Sequence, residues 1–178
     1  MSSKHYQHLN DEALLEFYHS TRNLAAFRHL YTRYKDSLYR YCAQMNFTCT
    51  NRVLEELWTN LLEHPPVLQG RLLRSWLFIR INKLLRRHLE EPAEAGTGRP
   101  EHQQQGEPLL EAIQQLPRSQ RNILLLHMEC RLPLATIADI EGISLKRCRD
   151  QYHQGKEQLR EILHGPRRQP WRIVEVTV

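Results

Sequence analysis

The chain has 178 residues, of which 40% are hydrophobic and 25% charged, and its formal net charge is +5. That apolar share supports packed cores and excludes global disorder. No apolar run reaches the roughly 18–20 residues needed to span a bilayer, so direct membrane insertion is not expected. The polar first ten residues lack the apolar centre of a signal peptide, which points to the cytoplasm. The four cysteines, Cys42, Cys49, Cys130 and Cys148, are far apart and form no CxxC, which argues against a disulfide framework, a zinc site or any other metal centre.

Taken in chain order, every ordered stretch reads as helix. Asn10 is a good N-cap, and Asp11 and Glu12 suit the positive end of the helix it opens. Phe27, Leu30, Tyr31, Tyr34, Leu38, Tyr41, Cys42 and Met45 recur at three- and four-residue steps, the pattern of an amphipathic helix. Val53, Leu54, Leu57, Trp58, Leu61 and Leu62 repeat it until Pro65 and Pro66 stop the helix. A third such helix is expected from about Arg71 to Leu89. Further on, Leu109–Leu116 reads as a short helix, and Pro117 suits the first turn of the next, which carries Ile123 to Leu126 and ends near Cys130. Pro133 opens another helix, Gly142 breaks it, and Ser144 can cap the last. Residues 173–178 alternate like a strand without an obvious partner.

The charge is unevenly spread. It sums to +6 over residues 1–88, −5 over 89–111 and +4 over 112–178. The acidic block coincides with a stretch rich in Gly, Pro, Gln and Glu that has no large apolar residue, the composition of a flexible linker. The expected architecture is all-α. Two small helical domains, 9–89 and 109–164, flank a flexible acidic linker over 90–108, with a tail at 165–178 and a helix-turn-helix in the second domain. Two basic blocks around an acidic one suggest an acidic polymer as partner.

Two surfaces carry candidate chemistry. Between His64 and Leu89 there is no acid, but Arg71, Arg74, Arg80, Lys83, Arg86 and Arg87 are present. At about 100° per residue, Trp76, Arg80, Lys83 and Arg87 share an arc of roughly 60°, beside a face of Leu73, Leu77, Ile81 and Leu84. Phosphates attract such cations, and an indole can stack on an unpaired base for roughly 1–3 kcal/mol. The plainer alternative is a solvated basic face with Trp76 at the rim of the core. The second surface lies between Leu134 and Leu163, where Ile137, Ala138, Gly142 and Ile143 have helix-turn-helix spacing. After Ser144, a narrow stripe of Leu145, Cys148, Tyr152, Leu159 and Leu163 includes Gly155, a costly helix residue that suggests close packing. The other face shows Lys146, Arg147, Arg149, Asp150, His153 and Gln154, and the first turns of such a helix fit a major groove. A helical hairpin without a ligand is the alternative.

Four segments together resemble the extracytoplasmic-function (ECF) sigma factors of bacterial RNA polymerase. Ala26-Phe-Arg-His-Leu-Tyr-Thr-Arg-Tyr34 resembles that family's opening helix, and Val53-Leu-Glu-Glu-Leu-Trp58 the helix that docks on the polymerase β′ clamp. Arg74-Ser-Trp-Leu-Phe-Ile79 resembles the helix that reads the −10 element. Leu116-Pro-Arg-Ser-Gln-Arg121, followed by Ile137-Ala-Asp-Ile-Glu-Gly-Ile-Ser144, resembles the module that reads the −35 element. The resemblance implies that the chain binds core polymerase through the β′ clamp and β flap and directs promoter-specific initiation, with an anti-sigma factor as a further partner. It assigns Val53, Glu55, Glu56, Leu57 and Trp58 to core polymerase. It assigns Trp76, Arg80, Lys83, Arg86 and Arg87 to the −10 strand, and Ser144, Lys146, Arg147, Arg149 and His153 to the −35 groove.

Some positions depart from the family pattern. Arg52 stands where an acid is usual, Glu141 replaces the apolar residue before the turn glycine, and Asp150, Gln151 and Glu157 dilute the positive charge of the last helix. These motivate two alternatives, a polymerase-independent helix-turn-helix regulator and a sigma-like interaction protein with weakened DNA binding. No catalytic residue or cofactor is expected. The ten histidines are scattered, and there is no HExxH, glycine-rich phosphate loop or nucleophile elbow.

Overall fold

The computed structural model describes residues 3–90 and 108–165, and every element among them is a helix. A 3₁₀ turn (Ser3–His8) leads into α1 (Asp11–Thr21), α2 (Leu24–Met45), α3 (Thr50–Glu63) and α4 (Leu73–Glu90). The second half holds α5 (Pro108–Gln114), α6 (Arg118–Met128), α7 (Leu134–Glu141) and α8 (Leu145–His164). The acidic stretch and the strand-like run at 173–178 lie outside the described residues.

The helices begin and end for local reasons. The Asn10 side chain accepts the Ala13 N–H at 2.8 Å, and Ser144 Oγ accepts the Arg147 N–H at 3.2 Å, each satisfying a donor that a helix start leaves open. Gly142 sits at φ 65°, in the left-handed region, and Ile143 N–H returns to the Ala138 carbonyl at 3.0 Å, which closes α7. The helix expected from Arg71 starts two residues later, because Gln69 (φ 51°) and Gly70 (φ 77°) form a left-handed turn ahead of it. Its first N–H, from Leu73, is capped by Glu12 of α1 at 2.7 Å. The helix expected to reach Leu116 ends at Gln114.

In the first half, α2 is the spine. Ala26, Phe27, Leu30, Tyr34, Leu38, Tyr41, Cys42 and Met45 run down its buried side. Against it pack Leu14, Leu15 and Tyr18 of α1, Val53, Leu57 and Leu61 of α3, and Leu73, Leu77, Phe78, Ile81, Leu84 and Leu85 of α4. In the second half α6 plays this part, with Ile123, Leu124, Leu125 and Leu126 all buried. Gly155 of α8 lies against it so closely that a Cβ would meet Leu124 Cδ1 at 3.2 Å and Gln120 Cβ at 3.3 Å. The four cysteines are free. Burial pushes the Cys42 thiol up and that of Cys130 to about 12, so both behave as core residues.

The halves meet across a seam between α2 and α4 on one side and α5, α6 and α7 on the other. At its centre the fully buried Tyr41 hydroxyl shares its proton between Asn82 Oδ1, at 3.0 Å, and Asn122 Oδ1. Asn122 Nδ2 donates to Asn82 Oδ1 at 3.3 Å and to Glu141 Oε1, while Asn82 Nδ2 donates to the Phe78 carbonyl at 3.0 Å. Around this node, Gln114 Nε2 donates to the Gln44 side chain at 2.8 Å and to its carbonyl at 2.9 Å.

Two changes test this packing. Gly155→Leu is expected to lower the unfolding free energy by about 1–3 kcal/mol in urea titrations through overpacking. Gly155→Ala should stay within about 1 kcal/mol of the parent, since the better helix former offsets the tight contact. Asn122→Ala is expected to lower stability by about 1–3 kcal/mol, because Tyr41, Asn82 and Glu141 each lose a buried partner. A loss below about 0.5 kcal/mol would show that water replaces the node at no cost.

Candidate nucleic-acid interface

The helix-turn-helix is built as its spacing suggests. Ile137, Ala138 and Ile140 of α7 and Cys148, Gly155 and Leu159 of α8 are buried, and Gly142 makes the turn. On a helical wheel Cys148, Tyr152, Gly155 and Leu159 fall within about 60° of one another. Lys146, Arg149, Asp150 and His153 occupy an arc of about 100° on the opposite side, and all four are exposed. Arg147 is exposed on the flank, while the Ser144 side chain is engaged as the cap. Asp150 sits inside the cationic arc, and Glu157 lies further along, where it bonds Arg160 at 3.0 Å. The positive charge is therefore concentrated in the first two turns.

On α4 the buried face is the expected one, with Leu73, Leu77, Ile81 and Leu84 at 0–2% exposure. Beside it, Trp76 is half-buried and packs on the rim of the core, Arg80 is half-buried and Lys83 is exposed. Arg87 Nη2 donates to Glu56 Oε2 of α3, and Arg87, with help from His88 and Arg80, holds the Glu56 carboxyl below the usual range. Arg86 does not share this edge. It lies about 80° round the helix axis from Trp76, on the side of the second half, 3.8 Å from Glu141. Just ahead of α4, Arg71 grips the two oxygens of Asp139 with its Nε and Nη2 at 2.9 and 3.2 Å. Arg74 donates to the carbonyls of Cys130 and Arg131 at 2.8 and 3.3 Å.

The α3 segment assigned to core polymerase divides by burial. Val53 and Leu57 are 0% exposed, held in the core by the helix period, and offer nothing to a partner. Glu55 is exposed and Glu56 half-buried. Trp58 stands edge-on to Tyr31 at 4.9 Å and to Phe27 at 6.0 Å. The surface that α3 presents combines Arg52, Glu55, Glu56, Thr59, Asn60 and Glu63 in one shallow hollow. A second hollow joins Trp58 and Leu54 to the exposed Tyr31 and Tyr39 of α2. Tyr39 lies off the buried stripe of α2, whereas Tyr31, which the periodicity places within that stripe, is nevertheless exposed.

Glu141, the departure from the family pattern at the turn, is a paired and mostly buried carboxylate. Its side chain is 10% exposed. Burial raises its pKa, against the pull of Arg86, Arg118 and the Asn122 hydrogen bond. Asp139, by contrast, is exposed and held low by Arg71. No group of three or more metal-ligating side chains gathers among the described residues.

Residues 106–159, which contain the helix-turn-helix, match the family described as Sigma-70, region 4. No curated protein matches the sequence. The fold matches CnrH, solved in complex with the cytosolic domain of CnrY, with a TM-score of 0.66, 19% identity, and coverage of 86% of this chain and 96% of that one. It also matches the sigma factor RpoE, solved in complex with the anti-sigma factor NepR from Bartonella quintana, with a TM-score of 0.60, 14% identity, and coverage of 79% and 98%. At these identities the likeness is one of fold, and it extends over both halves. The second half therefore contains a segment that matches Sigma-70, region 4, and most of the chain shares its fold with CnrH and with the sigma factor RpoE.

Proposed function

We propose that this chain is an ECF sigma factor, which binds core RNA polymerase and directs initiation at promoters through two helices. In this reading α8 enters the major groove of the −35 element, and α4 captures the unpaired strand of the −10 element. The supporting observation is the capped start of α8. Lys146, Arg149 and His153 project together from the solvent face of a helix-turn-helix that lies within the Sigma-70 region 4 match. Arg and Lys in that position can reach guanine edges or phosphates.

The same reading assigns the exposed part of α3, Glu55, Glu56 and Trp58, to the β′ clamp, and the second half to the β flap. Val53 and Leu57 serve it by shaping the helix from inside. Trp76 and Lys83 face the −10 strand, with Arg80 and Arg87 behind them around Glu56. RpoE was solved with the anti-sigma factor NepR, and an anti-sigma partner for this chain belongs to the same proposal. The chain acts without catalysis of its own, in the cytoplasm. No helix among the described residues is long and apolar enough to cross a membrane.

In vitro transcription with core polymerase tests the whole reading. Defined start sites should appear only when the protein is added. Lys146→Ala with Arg149→Ala should cost about 1–3 kcal/mol per lost base contact, a loss of promoter binding of about 30-fold or more for the pair that vanishes on templates lacking the −35 element. Lys83→Gln should slow promoter opening severalfold while leaving affinity for core polymerase within about twofold. Unchanged opening would remove α4 from −10 recognition.

A further inference from the structure

At the seam between the halves three arginines are engaged, Arg71 just ahead of α4 and Arg74 and Arg86 on it. Each of the three meets an oxygen supplied by α7 or by the loop before it. Asp139 takes Arg71 in a two-pronged grip, the Cys130 and Arg131 carbonyls take Arg74, and Glu141 stands 3.8 Å from Arg86. A fork of N–H groups on paired oxygens is also how a guanidinium holds a phosphate. Both carboxylates lie on α7, the first helix of the helix-turn-helix, whose region of the sequence otherwise reads as basic. Glu141 occupies a position where the family pattern has an apolar residue, and its burial here is compensated by these partners.

The seam is also polar enough to part. Besides its central node it contains an open cleft of about 740 Å³ lined by Arg33, Arg40, Arg74, Arg131, Asp11 and Glu129. Interfaces of this mixed, wet kind belong to domains that move relative to one another. Meanwhile Lys146, Arg149 and His153 of α8 stay exposed in the closed arrangement. Arg71 and Arg86 are also exposed, but their charges face the α7 carboxylates.

We propose that α7 is an intramolecular stand-in for nucleic acid: Asp139 and Glu141 occupy Arg71 and Arg86 in the free chain, and the phosphates of a single strand replace them when the halves part. The inference rests on the assignment of α4 to the −10 strand, and it adds a second phosphate-binding edge, made by Arg86 of that helix and Arg71 just ahead of it, together with the device that withholds it. The free sigma factor is thereby kept from indiscriminate binding to single strands, while its −35 face remains ready.

The test uses the full chain and a fluorescent single-stranded DNA of about 20 nucleotides of mixed sequence, followed by anisotropy over a range of salt. Asp139→Asn with Glu141→Gln keeps shape and removes both charges. It should bind at least about fivefold more tightly than the parent at low salt. The slope of log K against log salt should steepen by about 1.4, since two added contacts to a single strand contribute about 0.7 each. Glu16→Gln with Asp36→Asn, at exposed positions of α1 and α2, alters the net charge equally and should change affinity less than twofold. Equal tightening by both pairs would reduce the effect to bulk charge and overturn the proposal, as would no tightening in either. Asp139→Asn alone, at an exposed site, guards against misfolding of the double variant. It should leave the melting temperature unchanged and steepen the slope by about 0.7, and no change in slope overturns the proposal. Lys83→Gln assayed in the holoenzyme reports separately on the −10 assignment, so the failure of one reading is distinguishable from the failure of the other.

Discussion

A carboxylate taken out of water must find compensation, and Glu141 finds it on three sides: the amide of Asn122, and the charges of Arg86 and Arg118. The rest of the seam is organised around that requirement. Asn122 is held by Asn82 and Tyr41, Asn82 is anchored to the Phe78 carbonyl, and Tyr41 is the one hydroxyl on the buried stripe of α2 that reaches the second half. Each group satisfies the next, so the node specifies one register between two helical layers that apolar contacts alone would leave free to slide.

This arrangement gives α4 an unusual load. One side builds the core of the first half. A second edge meets α3 through Arg87 and Glu56, and a third meets α7 through Arg86, with Arg71 adding a grip just ahead of the helix. Its capping carboxylate comes from a fourth element, Glu12 of α1. The ties to α1 and α3 and the buried face keep α4 a fixed element of the first half whether or not its contacts to α7 are made.

Much of the fold was legible from local signals. Asn10 and Ser144 cap as their chemistry suggests, Gly142 takes the left-handed turn, Gly155 marks the tightest helix approach, and the buried stripes of α2, α3 and α4 follow the 3.6-residue period. Periodicity also contained the answer for Val53 and Leu57, whose place on the buried stripe of α3 conflicts with a docking role. The motif drew attention to a run of adjacent residues, whereas a helix presents only part of any run to a partner. The position of Arg86 was not legible for a related reason. A helical wheel fixes its angle to Trp76 but does not say that α7 lies on that side. Glu12, Arg71 and Asp139 act over separations of 61 and 68 residues, which no local pattern encodes. Glu141 was visible as an anomaly, and burial gave the anomaly its meaning.

The bond between Arg87 and Glu56 joins two surfaces that the sequence presents as separate. An anion that takes up Arg87 and a partner that takes up Glu56 both break that same bond. Whichever arrives first bears the loss, and the second arrives without it. By thermodynamic linkage the two ligands then favour each other by an equal factor, so under the proposed assignments strand capture and clamp docking are reciprocal.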